Sequence, residues 1–193
     1  MPELPEVETV RAGLEAHVVG RRIAAAHVGS TRAARRSLGG AAHLEQVLPD
    51  AVVTAAVRRG KFVWLTLAGE TGTEGTSGTG AAASDAALLF HLGMSGQLLV
   101  RKDPGEGPPR HLAARLTFTD DGVLDFVDQR TFGYLALDAL VPTADGGPGG
   151  DAGAGTAGSV LPVQVAHIAR DLLDPTLDVP ALVRRVKLRR TTI

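Results

Sequence analysis

The sequence predicts an α+β fold, mainly β: a two-layer β-sandwich with an N-terminal helix, followed by a partial C-terminal helical segment. Three observations carry that expectation. Val7, Val10, Leu14 and Val18 recur at helical spacing near the start. From Arg22 to Leu137 the chain falls into short β-prone runs separated by turn signals. Near the end, Asp178-Val179-Pro180 supplies an N-cap and first turn for a second helix.

In chain order, Pro5 suits a first helical turn, where its missing N–H costs nothing. Glu3, Glu6 and Glu8 lie where the helix dipole favours anions, and Gly20 provides a stop. Arg22–Val28 and Ala51–Val57 read as strands joined by a polar, arginine-bearing connection. Lys61–Leu67 alternates as a strand, and Ala87–His91 is a short apolar run entering the Gly93-Met94-Ser95-Gly96 turn. Gln97–Val100 leaves that turn as another strand. Arg115–Thr119 and Val123–Val127 flank Asp121-Gly122, a strong hairpin signal, and Tyr134–Leu137 closes the series. Beyond Pro180, Ala181–Arg190 carries Leu182, Val183, Val186 and Leu188 as a helix.

Two stretches, Ala68–Asp85 and Pro142–Ser159, are rich in Gly, Ala, Thr and Ser and poor in large apolar side chains. Such composition buries too little surface to offset ordering entropy, so both are expected as flexible surface insertions. The domain organisation predicted is a sandwich over 1–141, a flexible linker over 142–159 and a helical unit beginning at 160.

Composition narrows the function classes. A net charge of −1 is no nucleic-acid footprint in itself. It conceals an asymmetry: residues 1–60 hold 8 basic and 6 acidic side chains, 61–160 hold 6 and 12, and 161–193 hold 6 and 3. The ends are basic and the middle acidic. With no cysteine there is neither a disulfide nor a thiolate metal site, and the six histidines show no close ligand spacing, so no metal is expected in this chain. No apolar run approaches a membrane span and no signal-peptide pattern opens the chain, so no membrane partner and a cytoplasmic, nucleoid-associated location are expected.

The chemistry-bearing stretch is Met1-Pro2-Glu3-Leu4-Pro5-Glu6-Val7-Glu8-Thr9. Removal of Met1, expected before a small residue, makes Pro2 the amino terminus with the Glu3 carboxylate beside it. An ordinary α-amino group is about a tenth free base at pH 7, against roughly one part in 2,500 for lysine. An amine attacking a sugar aldehyde carbon forms a Schiff base, and a secondary amine forms one that is permanently cationic. That cation is an electron sink able to drive loss of a neighbouring phosphate. The same residues also describe an ordinary helix start.

Four further segments bear on that choice: Arg58-Arg59-Gly60-Lys61-Phe62, His91-Leu92-Gly93-Met94-Ser95-Gly96-Gln97, Phe126-Val127-Asp128-Gln129-Arg130-Thr131-Phe132-Gly133 and Leu188-Arg189-Arg190-Thr191-Thr192-Ile193. In this order, with the opening heptapeptide, they resemble the bacterial formamidopyrimidine-DNA glycosylase family, base-excision enzymes that remove oxidised purines. The resemblance implies Pro2 as the nucleophile on deoxyribose C1′ and Glu3 as an acid/base at the sugar ring oxygen. It places Glu6 near the lesion pocket and Lys61 on phosphates near the lesion with a part in elimination. His111 matches a phosphate-contacting histidine, although Ala113 stands where related chains often carry arginine. Met94, Arg130 and Phe132 match residues that fill the gap left by a nucleotide rotated out of the helix. A thioether, a guanidinium and a flat ring suit that task.

The implied activity is excision of formamidopyrimidines and 8-oxoguanine with abasic-site lyase activity, on damaged double-stranded DNA, by a monomer without cofactor. The family continues with the rest of a helix-two-turn-helix unit and a four-cysteine zinc finger, neither of which this sequence supplies. The expectation is therefore a catalytic domain cut off from half of its DNA grip. The alternative is a catalytically incompetent fragment that binds DNA weakly at most. An amino-terminal-proline tautomerase would share the nucleophile but leave the Met94 and Arg130 motifs unexplained.

Overall fold

The computed structural model describes residues 2–69, 86–103, 107–155, 157–171, 174 and 177–188, apart from the Arg185 side chain. Helix α1 spans Leu4–His17, with Pro5 in its first turn and Val7 and Leu14 fully buried. It is followed by β1 (Ile23–His27), α2 (Gly40–Val47), β2 (Val52–Arg59), β3 (Phe62–Ala68), β4 (Ala86–His91) and β5 (Gly96–Arg101). Strands β6 (Leu112–Phe118), β7 (Val123–Asp128), β8 (Tyr134–Pro142) and β9 (Val160–Pro162) complete the sheets, and α3 spans Val179–Leu188.

All strand pairs are antiparallel and form two sheets, one ordered β1-β6-β7-β5 and the other β2-β3-β4-β8-β9. The sheets share one apolar core: Val63, Leu65, Leu88 and Phe90 of the second sheet pack with Leu116, Phe118, Leu124 and Phe126 of the first. The Phe90 and Phe126 rings meet edge-on at 6.0 Å, a favoured aromatic geometry, and bridge the layers. The predicted two-layer sandwich with its N-terminal helix is thus the fold. The Asp121-Gly122 hairpin closes as expected, with Phe118 N–H donating to the Gly122 carbonyl.

Two parts depart from expectation. The connection between the first two strands contains α2, whose Leu44 is fully buried with Leu48 just after it. The linker expected over 142–159 is packed structure in its described residues. Asp151 exchanges two backbone hydrogen bonds with Arg58 of β2, Ala152 is buried, and β9 adds an edge to β8. The reason lies in β3 and β4, whose Trp64, Ala87 and Leu89 face away from the sandwich core. Leaving that second face wet would expose an indole and several aliphatic side chains. Ala152, Leu161 and Val165 cover it. The packing continues past this stretch, with Ile168 against the same apolar face, Arg170 bonded to Asp145 and Asp171 to Arg58.

Residues 70–85, the bulk of the first expected insertion, lie outside the described residues, as do Arg189–Ile193. In α3 the expected cap is present, with Asp178 Oδ1 accepting from Ala181 N–H at 2.8 Å. No helix among the described residues is long and apolar enough to cross a membrane.

Candidate active site

Three chain segments meet at the corner of the sandwich that holds Pro2. Pro2 and Glu3 extend from α1, and the Glu3 N–H donates to Glu6 Oε2 at 2.9 Å. That bond completes half of a capping box and fixes the direction in which the terminus leaves the helix. Glu6 thereby holds the backbone of Glu3 at the start of the helix. Lys61 sits in the two-residue turn between β2 and β3, where Gly60 supplies the positive φ such a hairpin needs. Its Nζ lies 3.5 Å from Glu3 Oε1, both side chains being well exposed. A pair this open contributes little to stability.

The third segment is the end of β4. A pocket is lined by Pro2, Val7, Lys61, His91, Leu92 and Gly93. His91 was quoted within a motif but given no role by the sequence. It lies between the Phe62 ring at 5.0 Å and the Tyr134 ring at 5.3 Å, stacked on the latter. Its Nδ1 accepts from Gly93 N–H at 3.2 Å, so the neutral ring carries its proton on Nε2. Burial lowers its pKa, and Arg36, Arg35 and Lys61 push in the same direction. Arg35 and Arg36 both lie over the Tyr134 ring, each at 5.1 Å.

Beside this corner two turns project. Met94, between β4 and β5, and Phe132, between β7 and β8, are 40% and 46% exposed, unusual for side chains of their size. The Arg130 guanidinium stands 5.5 Å from the Phe132 ring centre. The structure therefore brings Met94, Arg130 and Phe132 onto adjacent turns. His111 is placed separately, exposed and in the left-handed region (φ 64°) just before β6. Its carbonyl accepts from Asp128 N–H, which ties it to the base of the second turn.

Beneath the corner is a buried charge network absent from the sequence reading. Arg58, 7% exposed, donates to Glu8 at 2.7 Å, to Asp171 at 2.6 Å and to Asp151 at 3.4 Å. Arg11 donates to Glu8 and Glu15, each at 2.7 Å. Glu8 thus joins two arginines, and Arg58 fastens α1 to the 142–155 segment and to Asp171. Arg35 is another residue with no sequence signal; it donates to the carbonyls of Phe132 and Gly133 from across 97 and 98 positions. Of the C-terminal basic run, Arg184 and Lys187 lie on α3, while the Arg185 side chain, Arg189 and Arg190 lie outside the described residues.

Fold and site together define a sandwich in which Pro2, Lys61 and His91 line one pocket beside two projecting turns. The formamidopyrimidine-DNA glycosylase N-terminal domain model matches residues 1–135. Formamidopyrimidine-DNA glycosylases of Corynebacterium efficiens and Kineococcus radiotolerans are 48% and 45% identical over 100% and 99% of this chain. The chain spans 59% of the length of each. Among solved structures, Lactococcus lactis formamidopyrimidine-DNA glycosylase bound to DNA containing an abasic site superposes with a TM-score of 0.58 at 28% identity. That match covers 72% of this chain and 45% of the other. A second match, with the same TM-score and identity, is MutM in complex with DNA containing carbocyclic 8-oxo-G. The chain belongs to the formamidopyrimidine-DNA glycosylase family.

Proposed function

We propose that this chain carries the catalytic half of a DNA repair glycosylase that excises oxidised purines, formamidopyrimidines and 8-oxoguanine, and then cleaves at the resulting abasic site. The observation that carries the reading is the convergence of Pro2, Glu3, Lys61 and His91 at one corner, beside the turns bearing Met94, Arg130 and Phe132. The relatives' names and the DNA in the solved complexes support the same reading.

The residues divide the work as follows. The lone pair of the Pro2 nitrogen forms a bond to C1′, the glycosidic electron pair leaves with the base, and the proton that the nitrogen must shed passes to the departing base. The ring oxygen takes a proton, for which Glu3 is the placed donor, as the C1′–O4′ bond opens. The product is a cationic Schiff base on Pro2. Loss of a C2′ proton then sends an electron pair toward C3′, and the 3′ phosphate departs. Lys61, a mobile point charge 3.5 Å from Glu3, offsets phosphate charge at that step. Met94, Arg130 and Phe132 occupy the space vacated by the rotated nucleotide, and His111 takes a neighbouring phosphate.

Borohydride trapping on DNA carrying an abasic site tests this directly. A reduced covalent adduct that requires Pro2 supports the enzyme. Absence of any adduct at low salt would leave a domain that binds DNA weakly at most.

A further inference from the structure

We infer that Asp128 is the positioning residue that locks the Met94 turn and the Arg130–Phe132 turn into one rigid wedge. The inference rests on the wedge reading proposed above. Asp128 is 3% exposed at the end of β7, and its carboxylate bonds both turns. Oδ1 accepts from the Ser95 hydroxyl at 2.6 Å and from Arg130 N–H at 3.2 Å, while Oδ2 accepts from Gly133 N–H at 2.6 Å. Ser95 Oγ also accepts from Arg130 N–H at 3.1 Å, so the hydroxyl closes a ring between the two turns. Hydrogen bonds to an ionised acceptor are the strong ones, and burial makes loss of any one expensive.

The backbone geometry agrees. Gly93, at φ 62°, lies so near the second turn that a Cβ there would meet Gly133 N at 2.6 Å. A Cβ on Gly133 would meet Phe126 Cζ at 2.7 Å and Asp128 Oδ2 at 3.0 Å. Thr131, between the two wedge residues, is held at φ 56°, a conformation that a β-branched side chain adopts only when its surroundings impose it. A wedge that enters a base stack must not fold away under load. Its side chains are exposed, so the stiffness has to come from below, and Asp128 with Ser95 is where the two turns join.

The test uses the whole chain and compares binding to a duplex carrying a tetrahydrofuran abasic analogue with binding to the same strand alone. Ser95→Ala and Asp128→Asn are expected to lower duplex affinity about tenfold more than single-strand affinity, the scale of one hydrogen bond to a charged group. Ser95→Thr, which keeps the hydroxyl, should restore the duplex preference. If Phe132→Ala loses that preference while Ser95→Ala and Asp128→Asn keep it within twofold, the inference is overturned and the wedge stands. If Phe132→Ala itself leaves the preference unchanged, the wedge reading falls and the inference with it. Equal losses on duplex and single strand would assign Asp128 to fold maintenance alone. Should Asp128→Asn fail to fold, the Ser95 pair decides.

Discussion

The reactive corner and the projecting wedge lie side by side yet are held in opposite ways. At the corner, Glu3 and Lys61 are exposed and meet only at 3.5 Å, and the bonds that hold Glu3 are local ones within the first turn of α1, to Glu6 and Val7. At the wedge, the side chains are equally exposed, but the backbone beneath them is pinned by Asp128, Ser95 and Arg35. Under the function proposed above, the contrast follows from what each must do. Groups that exchange protons and form a covalent bond have to follow an atom that moves during the reaction. A wedge has to hold its place while a stack closes on it.

The largest effect that would break this contrast is at Pro2. Pro2→Gly is expected to remove or greatly slow both base release and strand cleavage, because a primary amine gives an imine that is cationic only when protonated. The same loss is expected where Met1 is retained, since the amine is then locked in a peptide bond. Mass spectrometry of the mature terminus together with borohydride trapping checks both. Full activity in a correctly processed Pro2→Gly protein would remove Pro2 from the mechanism and leave the corner an ordinary helix start.

Glu3→Gln sharpens the same side. Base release is expected to fall about a hundredfold, the lower range for loss of general acid catalysis, and more than cleavage at a preformed abasic site. An abasic sugar already offers an aldehyde, so less depends on a proton at the ring oxygen. Equal losses in the two assays would give Glu3 the later proton transfers as well.

On the wedge side, Phe132→Ala should weaken lesion-containing duplex more than single strand, by a factor near ten, since a few kcal/mol of unstacking is at stake and the ring offsets part of it. Lys61→Ala should weaken both and flatten the salt dependence by about one phosphate contact. Titrations at several salt concentrations separate the two. Equal duplex and single-strand losses for Phe132→Ala would return that ring to the sandwich.

Much of this arrangement was legible before any coordinates. Period-two runs and Asp121-Gly122 placed the strands, because alternation and turn chemistry are local signals. Ala87–His91 read only as an apolar run; its meaning, a strand covered on both faces, required knowing what lies over it. Residues 142–159 were the poorest reading, since their small side chains pack by shape against Trp64 and Arg58, which composition does not record. Arg35 and Arg58 were equally hidden. Each acts on partners remote in sequence, and a run of arginines carries no spacing to reveal that. Asp128 and Ser95 stood inside quoted motifs, yet only the fold shows that one bonds the other.

The smallest expected effect concerns His91, which belongs to both regions: it lines the Pro2 pocket and ends the strand that leads to the Met94 turn. Burial lowers its folded pKa, with Arg36, Arg35 and Lys61 adding to the shift, while the ring is stacked between Phe62 and Tyr134 and bonded by Gly93 N–H. In the unfolded chain it titrates near the usual 6.5. As pH falls below that value the unfolded state takes up the proton first, so stability declines until the lower folded pKa is reached. One proton contributes at most about 1.4 kcal/mol per pH unit to that slope. Glu15, Asp120 and Asp145 are held low by Arg11, Arg21 and Arg170, so their losses begin only near the ordinary carboxylate range, well below the histidine window. Denaturant midpoints measured from pH 7.5 to 5 should therefore fall less steeply in His91→Gln than in the parent chain. An identical slope in the two proteins would mean that the ring titrates as freely in the fold as out of it.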